Sequence, residues 1–365
     1  MSKRSELQQP ARDAARFLSV VRFVVPLVLA SLLVGCGDSS KQKAAAPASA
    51  PEAFNLTVQP GSIINVLIEV ATKQGMWEKN NLKPNFITAQ NGPAAVQALA
   101  SGSVDVAANA PENFLPLVAK GVEFQMFVGQ NRQVFLLVAN DGFDSGGATY
   151  PDVMRKLKGK KIGITAPGSA SYYTTQYLFQ SVNMAASDVE YVSYSSVGGA
   201  VAAIETRQID AGVINQPSVF IIQHDKKGQI LVDLRKPGGP PLISGIAQIG
   251  MWARKDWIQS HSSVVAAIRK TMAQADVFIH DPANFAVAKA IIGSELPKEY
   301  PDTEIEAYVK ANLDNIDAAF PMSAMKAWVQ FDVETGALAQ TLDAEKLMAP
   351  GTPGTADEIR KLAGS

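Results

Sequence analysis

Beyond residue 53 the chain alternates two hydrophobic rhythms. Short apolar runs bounded by Gly, Pro and Asn predict strands at 54–59, 83–89, 104–108, 124–129 and 134–139. Between them, apolar residues spaced three and four apart predict helices at 64–74, 94–100 and 112–119. Ile64, Leu67, Ile68 and Ala71 share one face of the first of these. Gly75 and Gly102 stand where helix ends favour a left-handed residue. This order of elements predicts α/β units with parallel strands.

The Gly-rich stretch 141–147 breaks the rhythm and predicts a crossing between domains. A second set follows, with helices at 151–157, 171–182, 200–207 and 218–226 and strands at 161–165, 189–194, 209–214 and 229–234. The Pro/Gly segment 237–241 interrupts it, and an apolar segment at 246–253 leads into amphipathic helices from 263 to the end. Lacking strands of their own, these helices are expected to pack on the first domain. The two sets also echo each other. Ala95-Val-Gln-Ala-Leu99 matches Ala200-Val-Ala-Ala-Ile204. Val104-Asp105 and Ile209-Asp210 each open a strand, and Asn109-Ala-Pro111 and Asn215-Gln-Pro217 each close one. Two domains built on similar units give this pattern, and so does a chance match of common α/β pieces.

The first fifty residues read differently. Lys3, Arg4, Arg12, Arg16 and Arg22 precede a non-polar run from 23 to 35, broken only by Ser31, that ends at Leu33-Val34-Gly35-Cys36. A basic start, a short apolar core and small residues before a cut describe a secretory signal. The run falls short of the roughly 20 apolar residues that span a bilayer. Residues 37–52 are small, polar or Pro and cannot build a core, so they predict a flexible tether. The expected organisation is a signal at 1–35, a tether at 36–53, a first lobe from 54–140 plus 246–365, and a second lobe at 141–245.

Composition narrows the function. The 365 residues carry a formal net charge of −1, which argues against a nucleic-acid binder. Loss of residues 1–35 removes five of the 33 Lys/Arg and two of the 34 Asp/Glu, leaving −4. The single Cys excludes an intrachain disulfide, an iron–sulfur site and a multi-Cys zinc site. His224, His261 and His280 sit beside Asp225, Ser262 and Asp281 with no metal-ligand spacing, so neither metal nor cofactor is expected. No Gly-x-Ser-x-Gly elbow and no phosphate-binding loop occurs, so no enzyme is expected.

The most informative segment runs from strand 161–165 through Ala166-Pro-Gly-Ser169 into a helix. Gly168 permits an unusual turn, and Ser169 or Ser171 can cap the helix. The N–H groups at the helix start then form an anion site without a full charge, although an ordinary strand–turn–helix carries the same residues. Turns after the other strands are similarly polar. In open α/β sheets ligands bind outside the carboxyl ends of strands, so two facing domains would form a cleft of neutral donors and acceptors. Arg132 is the one strong cation in these turns, suited to clamp a carboxylate or sulfonate or to serve as a surface ion-pair partner.

Five segments, in this order, carry a family resemblance: Gly75-Met-Trp-Glu-Lys-Asn-Asn-Leu82, Ala98-Leu-Ala-Ser-Gly-Ser-Val-Asp-Val106, Leu157-Lys-Gly-Lys-Lys-Ile-Gly-Ile-Thr-Ala-Pro-Gly-Ser169, Ile209-Asp-Ala-Gly212 and Trp252-Ala-Arg-Lys-Asp-Trp257. The chain resembles the substrate-binding proteins of ABC importers for nitrate, sulfonate, taurine and related solutes. That superfamily also holds binding proteins for thiamin-pyrimidine precursors. Leu33-Val34-Gly35-Cys36 resembles the lipobox of bacterial lipoproteins, with Cys36 as the lipid-bearing first residue of the mature chain. The resemblance implies an α/β, two-lobe periplasmic-binding-protein fold of type II with ligand between the lobes. It also implies a monomer, held by lipid at the periplasmic or cell-surface face of the membrane. This monomer would capture a small polar or anionic solute and deliver it to an ABC permease in the inner membrane.

The site residues it implies are Ser62, Asn91, Asn109, Gln130, Arg132, Ser169, Ser171, Tyr172, Asn215 and Gln216. Asp105 and Asp210 are expected to fix turns instead. Two other readings stay open: a site for a pyrimidine or aromatic heterocycle, and a solute-sensing lobe for a membrane receptor. A pyrimidine synthase bordering the family uses a cysteine-rich motif, and this chain has no Cys beyond Cys36.

Overall fold

The structure is a computed structural model that describes residues 50–365. The expected signal, most of the expected tether and Cys36 lie outside the described residues. Among the described residues no helix is long and apolar enough to cross a membrane.

The chain opens with β1 (Glu52–Val58), α1 (Val66–Lys73), α2 (Met76–Lys79), β2 (Leu82–Thr88), α3 (Gly92–Ser101), β3 (Val106–Asn109), α4 (Pro111–Val118) and β4 (Phe124–Arg132). It continues with β5 (Leu136–Asn140), α5 (Asp152–Arg155), β6 (Lys161–Ile164), α6 (Ala170–Gln180), β7 (Glu190–Ser193), α7 (Val197–Glu205), β8 (Ala211–Ile214), α8 (Ser218–His224) and β9 (Gly228–Asp233). It returns through β10 (Ala247–Arg254). The last helices are α9 (Lys255–Ser260), α10 (Ser262–His280), α11 (Phe285–Ile292), α12 (Asp302–Leu313), α13 (Met322–Glu334), α14 (Ala344–Leu347) and α15 (Ala356–Gly364).

Two five-stranded sheets result, ordered β2-β1-β3-β10-β4 and β7-β6-β8-β5-β9. The expected parallel core is there: β1 pairs in parallel with β2 and β3, and β6 with β7 and β8. One strand in each sheet runs against it. β10 is antiparallel to β3 and β4, and β5 is antiparallel to β8 and β9. The strand expected to close the first lobe therefore belongs to the second sheet. All five residues of β5 are buried, and a strand buried on both faces needs the middle of a sheet. In the first sheet β10 fills a central place, with seven of its eight residues buried. The crossing accordingly falls at Gln133–Phe135, ahead of the Gly-rich stretch 141–147. That stretch is a surface turn, with Gly142 N–H donating to Asn140 Oδ1 at 3.0 Å and Gly146 N–H to Asp144 Oδ1 at 2.8 Å.

The two crossings bind each other. Gln133 N–H donates to Ile246 O at 2.7 Å, and Leu234 N–H donates to Phe135 O at 3.2 Å. Asp105 and Asp210 play identical roles in the two lobes. Asp105 Oδ2 accepts from Asn55 N–H at 2.8 Å and Asp210 Oδ2 from Lys161 N–H at 2.8 Å. Each aspartate N–H returns a bond to the carbonyl of the same residue. The echo in the sequence is thus a repeated structural staple, in which a carboxylate stitches the entry of β3 to β1 and of β8 to β6.

The C-terminal helices do more than cover the first lobe. α10 does pack there, with Asn80 Nδ2 donating to Thr271 Oγ1 at 2.9 Å and Gln274 Oε1 at 2.7 Å. α12 and the segment before it reach the second lobe: Tyr300 stacks on His224 at 3.7 Å, Tyr308 packs on Phe220 at 5.0 Å, and Asn312 Oδ1 accepts from Arg235 Nη1 at 2.8 Å. α13 touches both, through Trp328 Nε1–H to Ala247 O at 2.7 Å and Phe331 against Tyr177 at 5.0 Å. Helical periodicity identifies an apolar face but not the partner it meets, so the expectation of a first-lobe layer missed this span.

Candidate functional site

The parallel strands of the two sheets point their carboxyl ends at each other. Gln59, Gln90 and Asn109 follow or end β1, β2 and β3, and Thr165, Tyr194 and Asn215 follow β6, β7 and β8. All six line one cavity of about 40 Å³. Val134 and Phe135 of the crossing and Ile249 of β10 supply apolar wall. At about 10–15 Å³ for each enclosed water, the space holds a few small atoms' worth of guest. Every described side chain that lines it is uncharged.

The second-lobe wall is a hydroxyl cluster made by one strand–turn–helix. Gly168 takes φ +73°, a left-handed turn that a side chain would strain. This turn sets Ser169 as the N-cap of α6, its Oγ accepting from Tyr172 N–H at 3.3 Å. Ser171 Oγ accepts from Thr165 N–H at 2.9 Å and lies 2.6 Å from Thr165 Oγ1 and 2.9 Å from Ser169 Oγ. Ala170 N–H donates across the cleft to Asn113 Oδ1 at 3.2 Å. The Ser171 N–H, also in the first turn, has no intrahelical partner. Tyr194 is half-buried, and burial pushes its phenol well above the usual range, so it stays a neutral hydroxyl donating to Val213 O at 2.9 Å. Two further bonds join the lobes beside the cavity. Asn215 Nδ2 donates to Ser62 Oγ at 3.3 Å, and Ile63 N–H donates to Gln216 O at 3.2 Å. The lobes are closed on one another around a small polar space.

Residues 62–293 match the family described as NMT1-like, which covers the greater part of the chain. The chain belongs to the NMT1-like family. Curated binding proteins of Brucella abortus and Brucella suis are 29% identical to it over 182 residues, 49% of this chain and 54% of theirs. The chain thus spans about half the length of the curated relatives it matches. Among solved structures, a Bordetella bronchiseptica protein is 24% identical with a TM-score of 0.70, over 86% of this chain and 98% of its own. The alkanesulfonate-binding protein SsuA of Xanthomonas axonopodis pv. citri, bound to MOPS, is 17% identical with a TM-score of 0.65, over 82% and 99%. The periplasmic nitrate-binding protein NrtA of Synechocystis is 12% identical with a TM-score of 0.68, over 86% and 89%. These likenesses establish the two-lobe periplasmic-binding-protein fold.

In this NMT1-like protein, Asn109, Ser169, Ser171 and Asn215 of the sequence-predicted set line the cavity. Ser62 and Gln216 stand behind it: Ser62 holds Asn215, and Gln216 Oε1 accepts from Phe220 N–H at 3.0 Å. Asn91 caps α3, accepting from Ala94 N–H at 3.1 Å. Tyr172 packs edge-on against Tyr173 and Tyr191 and accepts from Gln176 Nε2 at 2.9 Å. Gln130 is fully buried in β4, and neither amide atom has a hydrogen-bond partner among the described residues.

Arg132, expected beside the ligand, faces elsewhere. Its Nε and Nη2 donate to Gly245 O at 3.0 and 2.6 Å, outside the cavity. Successive residues of a strand point to opposite faces, and Asn131 takes the inward one, its Nδ2 donating to Ile63 O at 3.4 Å. Sequence reasoning missed Gln59, Gln90, Asn113, Thr165 and Tyr194. The strand-end rule points to four of them, since each sits at or just beyond a predicted strand end; Asn113, inside α4, carries no such signal.

Proposed function

We propose that the chain is an extracytoplasmic solute-binding protein, not an enzyme, that captures a small polar or anionic solute between its lobes. It then hands the solute to an ABC permease in the inner membrane. The observation that carries this is the small cavity at the strand ends of both lobes, lined by hydroxyls, amides, the start of α6 and an apolar wall, with no charged side chain. Such a site suits an anion well. Neutral N–H and O–H groups make charge-assisted bonds to its oxygens, and the dipole of α6 favours negative charge. Nitrate, a small sulfonate such as taurine, or a related organic acid has this chemistry. The alkanesulfonate and nitrate bound by structural neighbours support the same class. The lipobox-like Leu33-Val34-Gly35-Cys36 supports anchoring through Cys36.

A thermal-shift and calorimetric panel of nitrate, sulfonates, carboxylates and pyrimidines tests the reading. A true ligand at 100 times its Kd adds about 2.7 kcal/mol of stability, and a panel with no stabilising member sinks the proposal. With the ligand in hand, Asn215→Ala is expected to weaken binding about tenfold, equivalent to about 1.4 kcal/mol. Arg132→Ala is expected to leave the affinity within about twofold, because its guanidinium is engaged outside the cavity. Mass spectrometry of protein extracted from membranes checks the anchor: a diacylglycerol-sized increment on Cys36, lost in Cys36→Ser, is expected, and an unmodified Cys36 refutes it.

A further inference from the structure

Asn113 lies in the first turn of α4, in the first lobe, and is 8% exposed. Its Nδ2 donates to Asn109 Oδ1 at 2.8 Å. Its Oδ1 accepts from Ala170 N–H at 3.2 Å, at the start of α6 in the second lobe. Asn109 is held by backbone on both sides of its own amide. Ala110 N–H donates to its Oδ1 at 2.9 Å, and its Nδ2 donates to Gly92 O at 3.1 Å. These two backbone groups dictate a direction. An N–H can only donate and a carbonyl can only accept, so Asn109 must turn its oxygen toward Ala110 and its nitrogen toward Gly92. Asn113 must then offer its nitrogen to Asn109, which leaves its oxygen pointing across the cleft. Gly92 makes room for this. A Cβ there would lie 2.7–2.8 Å from the three amide atoms of Asn113.

We propose that Asn113 is a cross-cleft clasp that both registers lobe closure and sets the charge preference of the cavity. The Ala170 bond exists only when the lobes are together, so Asn113 acts on the closed state and slows ligand release. Its oxygen also takes the outermost first-turn N–H of α6, so that a guest is offered the Ser171 N–H and the hydroxyls of Thr165, Ser169 and Ser171. A neutral amide tolerates an anion beside it, where a carboxylate of the same shape repels one. The ligand half of this proposal rests on the anion-capture reading; the clasp half does not.

The test separates the two. Hydrogen–deuterium exchange of the Ala170 amide, read without ligand, is expected to speed up at least tenfold in Asn113→Ala. The same acceleration is expected in Gly92→Ala, which keeps the amide but denies it its place. Exchange within twofold of the wild type in both variants overturns the clasp. Nitrate and methanesulfonate are then titrated into wild type, Asn113→Ala and Asn113→Asp. With Asn113→Ala the dissociation rate should rise while the association rate stays within twofold, a split that a merely structural role would not produce. With Asn113→Asp the affinity should fall at least tenfold below that of Asn113→Ala. Wild-type-like affinity in Asn113→Asp overturns the charge preference. If neither anion binds the wild type, the anion reading and the charge preference resting on it both fail, and the exchange measurement still decides the clasp.

Discussion

Trp252→Ala is expected to cost about 3–5 kcal/mol of stability, the usual range for emptying a large buried ring. Trp252 is wholly buried on β10, in the middle of the first sheet. Its indole stacks on Phe114 of α4 at 4.4 Å and 19°, and Phe114 in turn meets Phe124 edge-on at 5.5 Å. Its Nε1–H donates to Asn109 O at 3.2 Å. One side chain therefore holds the helix that carries Asn113 and the turn that carries Asn109. Its removal leaves a void beneath the first-lobe wall of the cavity and a buried carbonyl without its donor. At roughly 1.5 °C per kcal/mol for a chain of this size, the melting temperature should drop by about 5–8 °C. Trp252→Phe keeps the stack and loses the N–H, and should fall by about 1–3 kcal/mol. Thermal unfolding followed by circular dichroism checks both. A melting temperature for Trp252→Ala within about 2 °C of the wild type would show that the stack does not hold the lobe.

The second large effect is a dependence on pH. Glu112, at the start of α4, is wholly buried. Its Oε1 accepts from Gln248 Nε2 at 2.9 Å, while Oε2 has no partner among the described residues. Burial pushes its carboxyl up to about 7. Asp332 of α13 is likewise buried with both oxygens unpartnered, and burial, then the neighbouring Glu112, holds it well above the usual carboxylate range. Between the ordinary glutamate value of 4.5 and about 7, the folded chain keeps a proton on Glu112 that the unfolded chain has released. The native state binds more protons there, so stability falls as pH rises through that window. At 1.36 kcal/mol per unit, Glu112 alone accounts for about 3 kcal/mol. Urea unfolding at pH 5, 6, 7 and 8 should show this decline. Glu112→Gln should remove the share that Glu112 supplies, leave the share that the burial of Asp332 supplies, and be the more stable protein at pH 8. An undiminished slope in the variant would place the titration elsewhere.

Both predictions concern residues whose chemistry the sequence leaves silent. Trp252 was part of the segment that carried the family resemblance, yet nothing in it announced a stack on Phe114 or a bond to Asn109. Glu112 reads as an ordinary first-turn acid, a place where negative charge is favoured by the helix dipole. Only the arrival of α13 and Gln248 makes it a buried group. The candidate site divides along the same line. Ser169 and Ser171 were legible because strand, glycine turn and cap are contiguous, and each makes its bonds within a few residues of itself. Asn109 and Asn215 were legible because a polar residue ending a parallel strand has its place set by the strand. Arg132 was misplaced because strand alternation defines two faces without saying which one looks inward.

The sequence alone determined the local pieces of this protein: the two sets of α/β units, the polar strand ends and the Ser cap of α6. These depend on periodicity and on bonds that span a few residues. The tertiary structure alone decided how the pieces were shared out. It sent β5 to the second sheet and β10 to the first, spread the C-terminal helices over both lobes, turned Arg132 outward and brought Asn113 to Ala170. Those outcomes rest on which surface can be buried against which, and on hydrogen bonds between residues dozens of positions apart, and neither leaves a period in the chain.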